Sequence, residues 1–504
     1  MLDYLIKRPM LLSGIGCCII SVLAFYSRNI FTVVCFALPF IIGLMIYFKT
    51  DGKLLVASVL IFVMCMNCIL TFHRIDSLAL HSGTTQPAEL VITEITYKSD
   101  QFYIATSEVK KSDRLKKGNK ISVFYEPQDI KIGERILADV KLRTVPDDEY
   151  KGDNYSKEIF LQGNLSNIKV LDGKEDVILT TTQKVRQYIK NTLMENMGYN
   201  EAATLCALIF GERDYFTQDF YSYVKAAGVS HVMVVSGMHM AILVSFIVGV
   251  LNHLFYNRFL KAFTVIMVVG TLSLLCGFTM SVLRAGVTYL LMALGLMLER
   301  KGTPENTLGG ALTIISLSSS FAIFSVSFQL SLLSTFGILV VAIPFVEKLE
   351  KHNKLNFITK PIVTSVAFSL SALIFTMPVI VYTFGYISTV SVISNLLISS
   401  VVSLALYWAL AGLIIRPIIP FLSRYIFVVA GALTKYINYV IEYMGSLPFA
   451  VKTVPQYWGY ISIFCIFFIC LLLVACKKRN DMLKLKRMRD KILMEGGGKL
   501  KWRP

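Results

Sequence analysis

Long apolar runs recur along this chain, and that recurrence restricts it to one class of fold. They cover residues 9–27, 30–48, 54–72, 228–251, 262–278, 282–298, 307–324, 325–346, 361–382, 390–415, 425–445 and 457–476. Each is close to the about 17 to 25 residues a helix needs to cross the hydrocarbon layer. Within that layer every backbone polar group must be satisfied internally, so a spanning chain is either helical or a closed barrel. Unbroken apolar runs without period-two alternation select the helix. The sequence therefore reads as a polytopic α-helical membrane protein of about 12 transmembrane helices. With 55% hydrophobic and 16% charged residues, an ordinary soluble globular protein is excluded. The least apolar run is 425–445, where Lys435 and Glu442 also admit a helix lying in the interface.

The runs divide the chain. Residues 1–72 hold the first three, and no small-residue cleavage site follows the first, so it is expected to stay as an anchor. Residues 73–183 turn polar, with β-rich stretches at 88–97, 101–107, 120–125, 135–142 and 164–171 separated by turn residues such as Lys117-Gly118-Asn119. Five short strands predict an inserted all-β, OB-like barrel. Residues 184–227 carry a helical stretch at 201–210 and another between Thr217, a plausible N-cap, and Gly228, a plausible stop. These are expected as surface or interfacial helices. Residues 228–476 form the second membrane region, and 477–504 a basic tail. The ten cysteines lie in or beside apolar segments and imply no disulfide framework.

Lysine and arginine in the connections orient the whole. One set of connections holds Lys7, Arg8, Lys49, Lys53, Arg258, Lys261, Arg300, Lys301, Lys348, Lys351, Lys354, Lys360, Arg416 and Arg424, and the other only Arg28 and Lys452. Positive residues are retained on the cytoplasmic side. Both termini are thus expected in the cytoplasm, with the β domain outside a cell membrane. Much of the formal charge of +17 is topological, and the tail reads as a retention signal that touches anionic lipid of the bilayer.

Against this apolar background the polar side chains stand out. The stretch GVSHVMVVSGMHM, residues 228–240, carries His231, Ser236, Gly237 and His239. Arg284, Gln329, Ser331 and Asn395 fall near the outer ends of later runs, and Pro378 near the outer end of another. Ionisable groups at membrane depth are functional candidates by default, and a guanidinium holds phosphate bidentately. Together they suggest a polar, outward-facing vestibule. Each alone also fits helix-end snorkelling or interhelical hydrogen bonding. His231 and His239 are eight residues apart, about 12 Å along an unbroken helix, which argues against one shared metal ion. No cofactor motif is present. Ser236 and His239 raise intramembrane serine hydrolysis, but Val234 stands where a GxSG motif requires glycine. In the β domain, Phe102, Tyr103, Phe124 and Tyr125 are candidates for base stacking. Residues 73–183 carry sixteen Lys and Arg against eighteen Asp and Glu, so strong phosphate binding by the whole domain is not expected.

These motifs, taken in order, resemble the ComEC competence proteins. The likeness includes ALIFGERD at 207–214, then GVSHVMVVSGMHM, which is similar to the family's GLSHLLAISGLHV, and SVLRAG at 281–286. It continues through SFQLSLLSTFGI at 327–338, FGYIS at 384–388 and SNLL at 394–397. GERI at 133–136 and NYSKEIFLQGN at 154–164 extend it into the β domain. The resemblance implies a channel domain over 228–476 that passes single-stranded DNA into the cytoplasm. It further implies an extracytoplasmic DNA receptor and a cytoplasmic helicase-type motor as partners. Family members commonly carry a C-terminal metallo-β-lactamase-like domain, whose HxHxDH cluster this sequence lacks. No nuclease activity is therefore expected of this polypeptide, and a separate nuclease would act beside it. There is also no GxxxxGK[ST] loop, so no enzyme activity is expected. The alternative is an exporter or assembly factor for an envelope polymer that shares the fold.

Overall fold

A computed structural model describes residues 8–27, 54–76, 83–99, 101–112, 115–128, 130–146, 151–233, 237–252, 257–299, 302–351, 356, 359–463 and 466. The run expected at 30–48, most of 457–476, Ser236 and the basic tail lie outside the described residues. Among those described, six helices are long and apolar enough to cross a membrane: Pro9–Tyr26, Arg258–Leu275, Met280–Met297, Val326–Lys351, Thr359–Phe384 and Ser391–Ile415. The chain is a multi-pass helical membrane protein.

Helix α1 (Pro9–Ser27) packs on α2 (Leu54–Asp76) around one polar side chain. The buried Asn67 amide donates to the Cys17 carbonyl at 3.0 Å and to Ser21 Oγ at 3.1 Å. An unsatisfied polar group in hydrocarbon costs several kcal/mol, so this clasp fixes how the two helices face each other.

The polar region that follows folds into five strands: β1 (Thr85–Lys98), β2 (Tyr103–Ser112), β3 (Lys120–Tyr125), β4 (Glu134–Thr144) and β5 (Ile159–Glu175). They close into a barrel in the order β1-β2-β3-β5-β4, with β3 and β5 parallel and the other pairs antiparallel. Alternate residues point inward, as in Ile121, Val123 and Tyr125 of β3 or Ile136, Ala138, Val140 and Leu142 of β4. Closure leaves no free strand edge. β5 begins earlier than the sequence suggests because Gly163 is a packing residue, not a turn. A side chain there would strike Val140. A short helix, α3 (Lys151–Ser156), joins β4 to β5.

Beyond the barrel, α4 (Val177–Asn196) starts at Asp176, whose carboxylate accepts from the Leu179 amide at 3.3 Å. α5 (Tyr199–Phe210) stops at Gly211, and α6 (Gln218–Ala226) is capped by Thr217 and followed by Gly228 at φ +71°. The caps are those expected, but α5 is not a surface helix. Its residues from Ala202 to Phe210 are all buried, because a helix apolar on every side must be enclosed.

Among the described residues of the run expected at 228–251, α7 (Gly237–Asn252) is helical and residues 228–233 form turns. α8 (Arg258–Leu275), α9 (Met280–Met297) and α10 (Pro304–Ser318) follow. α10 ends sooner than its apolar run because Ser318, Ser319 and Ser320 interrupt it, and the chain then makes a 3-10 turn at Ala322–Phe324. α11 (Val326–Gly337) continues through a π-helical turn, Ile338–Ala342, into α12 (Ile343–Lys351). α13 (Thr359–Phe384) leads through β6 (Tyr386–Ser388) to α14 (Ser391–Ile415). α15 (Pro420–Gly445) folds back along α14, and β7 (Val451–Thr453) pairs with β6. Close crossings rest on glycine. A Cβ on Gly14 of α1 would sit 2.6 Å from the Gly309 carbonyl oxygen of α10, and one on Gly412 of α14 would sit 2.7 Å from the Phe427 ring of α15.

Two sets of contacts mark opposite faces of the helical assembly. On one, Arg8 pairs with Glu305 at 3.0 Å, Lys360 with Glu350 at 2.9 Å, and Arg258 with Glu299. On the other, Phe25 at the far end of α1 packs against Phe321 and Phe324 beside the 3-10 turn. Tyr155 of α3 and Phe160 of β5 join this cluster, with Tyr155 centred 5.8 Å from Phe25 and 5.6 Å from Phe321. The barrel thus sits on the face opposite the cation-rich connections.

Candidate functional site

Three of the motif segments meet at the barrel-side end of the membrane helices. Gly228, with its left-handed backbone, lies against the start of α14. A Cβ there would be 2.5 Å from Ser391 Cβ and 2.6 Å from Ser388 Cβ. Ser388 holds the same corner by donating from Oγ to the Ala226 carbonyl at 2.7 Å. From this anchor the chain runs through residues 228–233, with Val229, Val232 and Met233 buried and His231 exposed. Gly237 lies on α7.

At that point stands Arg284. It is buried on α9, its Nε donates to Ser331 Oγ of α11 at 2.8 Å, and Ser281 Oγ lies 3.4 Å from the same oxygen. Its terminal nitrogen Nη2 is the nearest atom to a Cβ built on Gly237, at 3.1 Å. Any side chain at 237 would press on the guanidinium, so glycine is what lets the backbone at 237 approach Arg284 this closely. Among the described residues the terminal guanidinium nitrogens make no hydrogen bond. A guanidinium fork of this kind is chemically suited to a phosphate.

The other sequence candidates are placed less closely. His239 is buried in the first turn of α7, two residues past Gly237. Gln329 does not face Arg284. It donates to the Ile323 carbonyl at 2.8 Å and closes the 3-10 turn, and at 100° per residue it points roughly opposite to Ser331. Asn395 is half-buried one turn after Ser391, and among the described residues no hydrogen bond joins it to Arg284 or Gln329. Pro378 is buried inside α13, and its carbonyl oxygen would lie 3.3 Å from a Cβ on Gly459. Among the described residues no three His, Cys, Asp or Glu side chains are grouped to hold a metal ion.

On the barrel, Tyr125 is a core residue. Its ring packs edge-on against Tyr103, and burial, then the neighbouring Tyr103 phenol, raise its pKa above the usual tyrosine value. A ring enclosed in this way is not a stacking platform. Phe102 is exposed beside Tyr97 at 5.8 Å, and Phe124 is half-buried with the Arg143 guanidinium 6.0 Å above it. The aromatic cluster around Phe25, Tyr155 and Phe321 escaped the sequence reading. Its signal was the clustering of Phe25-Tyr26 and Phe321 to Phe324 at the same ends of two apolar runs.

Residues 208–479, more than half of the chain, match the family described as Competence protein. The chain belongs to the ComEC family of competence proteins. It is 22% identical over 275 residues to ComE operon protein 3 of Bacillus subtilis, covering 54% of this chain and 34% of that protein. It is 29% identical over 205 residues to a Mycoplasma pneumoniae protein titled an uncharacterized MG316 homolog, covering 40% of this chain and 49% of that protein. The chain thus spans half or less of each of these relatives. No solved structure matches it. The family match begins inside α5 and contains Gly228, Gly237, Arg284 and Ser331, so the node lies wholly within the family's shared region.

Proposed function

We propose that this chain conducts single-stranded DNA across the cytoplasmic membrane during natural competence, with the barrel outside and the cation-rich connections inside. The observation that carries this reading is Arg284. A buried guanidinium held by Ser331 on one side and open on the other, at the barrel-side end of the membrane helices, is a site for a passing phosphate. The strand order β1-β2-β3-β5-β4 with parallel β3 and β5 supports an OB-type barrel, a fold that takes single strands on aromatic platforms. Phe102 and Phe124 are the rings placed to serve there.

In this reading His231, the Ser236–Gly237 step, His239, Arg284 and Ser331 line the entry, with Gln329, Pro378 and Asn395 shaping its walls. An external DNA receptor delivers the strand, a separate nuclease removes its complement, and a cytoplasmic helicase-type motor draws it in. The test is strand-specific uptake of labelled duplex DNA by cells with and without the gene. One strand should become protected from external nuclease only when the gene is present. Equal protection without it would overturn the reading in favour of an envelope-polymer exporter or assembly factor.

A further inference from the structure

α4 and α5 form a helical hairpin that leaves the barrel and turns at residues 196–198. Arg186, midway along α4, donates from Nε to the Leu275 carbonyl at 2.8 Å and pairs with Glu212 at 3.1 Å. Leu275 is the barrel-side end of α8, and the neighbouring Cys276 Sγ meets the Ile209 carbonyl at 3.4 Å. The mouth of the hairpin is therefore level with the outer ends of the membrane helices.

Its tip lies much deeper. α15 ends at Gly445 against Tyr223, on the barrel side. Farther down the same helix, Thr204 Oγ1 of α5 donates to Asn438 Oδ1 at 2.8 Å, and a Cβ on Gly431 would lie 3.3 Å from Met197 Cβ. At 1.5 Å per residue, Asn438 and Gly431 are about 10 and 21 Å below Gly445. Glu195 then pairs at 2.8 Å with Arg416, the residue that ends α14 at the cation-rich face. The tip thus reaches about the middle of a roughly 30 Å layer.

α5 meets that depth by being apolar and enclosed, but α4 does not. Gln187, Tyr188, Asn191 and Glu195 are exposed on it, and the Gln187 amide is bonded to Asn191 at 2.9 Å. The Glu195 side chain is 62% exposed. Carboxylates and amides at membrane depth face water or a polar partner, not lipid. A helix that enters and returns on the same side is tolerated where its polar face lines a cavity.

We propose that α4 and α5 form a re-entrant hairpin, that the exposed face of α4 is a wall of the water-filled route, and that Lys184, Tyr188 and Asn191 on it receive a single-stranded polyanion. These three residues share one face at i, i+4 and i+7. They offer an ammonium for phosphate, a ring for stacking and an amide for hydrogen bonding, and the Glu195–Arg416 pair stands at the inner end. The choice of ligand rests on the proposed function, whereas the depth and polarity of the wall do not.

The experiment places single cysteines, Tyr188→Cys, Asn191→Cys and Val428→Cys, in the full chain with its native cysteines replaced, each checked for membrane level. A charged, membrane-impermeant methanethiosulfonate is then added with and without a single-stranded oligonucleotide. Val428 lies on the exposed apolar face of α15 and serves as the lipid-side control. The cysteines on α4 should react at least about tenfold faster than the one at 428, since thiols ionise in water and not in lipid, and the oligonucleotide should slow them alone. Rates equal to the control while gene-dependent uptake persists would overturn the wall and leave the transport reading standing. Fast labelling that the oligonucleotide does not slow would overturn the polyanion assignment.

Discussion

Arg284 on α9 and Ser331 on α11 are joined by a 2.8 Å hydrogen bond at the level where residues 228–233 give way to α7. The bond uses Nε, so Ser331 orients the guanidinium plane, and among the described residues Nη1 and Nη2 make no hydrogen bond. Lysine keeps the charge but has neither the fork nor a second nitrogen to hold Ser331.

Arg284→Lys is therefore expected to lower DNA uptake by at least about tenfold, the equivalent of roughly 1.4 kcal/mol of lost binding, close to the lower end of the roughly 1.5–3 kcal/mol typical of charged hydrogen bonds. Arg284→Ala should abolish uptake with membrane insertion intact. Transformation frequency at matched membrane level is the measurement. Wild-type frequency for both variants would remove Arg284 from the path.

Gly228 and Gly385 have nearly the same left-handed backbone, φ +71° and +68°, but different surroundings. A Cβ at 228 would strike Ser388 and Ser391, whereas one at 385 meets nothing within 4 Å. Gly385→Ala should cost only the conformational penalty of about 1–2 kcal/mol. Gly228→Ala adds overpacking of about 1–3 kcal/mol and displaces the corner that Ser388 holds. Thermal unfolding in detergent should rank the two, with Gly228→Ala clearly lower. Equal losses would mean that the Gly228 corner is not closely packed.

Much of this arrangement is legible from the residues, and the exceptions have physical causes. The barrel strands follow from alternation, and the same parity that places Ile121 and Val123 inside also places Tyr125 inside. Aromaticity alone leaves base stacking and core packing open for this ring, and parity decides for the core. The membrane runs follow from hydropathy, but hydropathy reports burial and not helicity. Val229, Val232 and Met233 are buried within turns, so the apolar run continued across a break that it could not show. Position along a run gives depth and not azimuth. Depth alone groups Gln329 with Ser331, although the helix turns one toward Ile323 and the other toward Arg284. The mixed composition of 184–227 suggests helices near the outer surface, yet the stretch of α5 from Ala202 to Phe210 has no hydrophilic side and is enclosed.

The barrel is held to the membrane helices through the aromatic cluster, together with Ser319 Oγ donating to the Ser156 carbonyl at 3.4 Å and Phe324 beneath Gly152. Tyr155 makes two of the ring contacts that cross between barrel and membrane helices, to Phe25 at 5.8 Å and Phe321 at 5.6 Å, and a third to Phe160 of β5 at 5.2 Å. Each such pair contributes about 0.5–1.5 kcal/mol beyond its burial. Tyr155→Ala removes three at once without touching the barrel core. The barrel should stay folded and its seating loosen, so limited proteolysis should cut near α3 several-fold faster while the membrane helices remain protected. Under the proposed function a strand passes from the barrel to Arg284 and must find the two in register, so uptake should fall in the same variant. Faster cleavage with undiminished uptake would mean that the barrel need not be seated for transport, and an unchanged cleavage rate would place its attachment elsewhere than in this cluster.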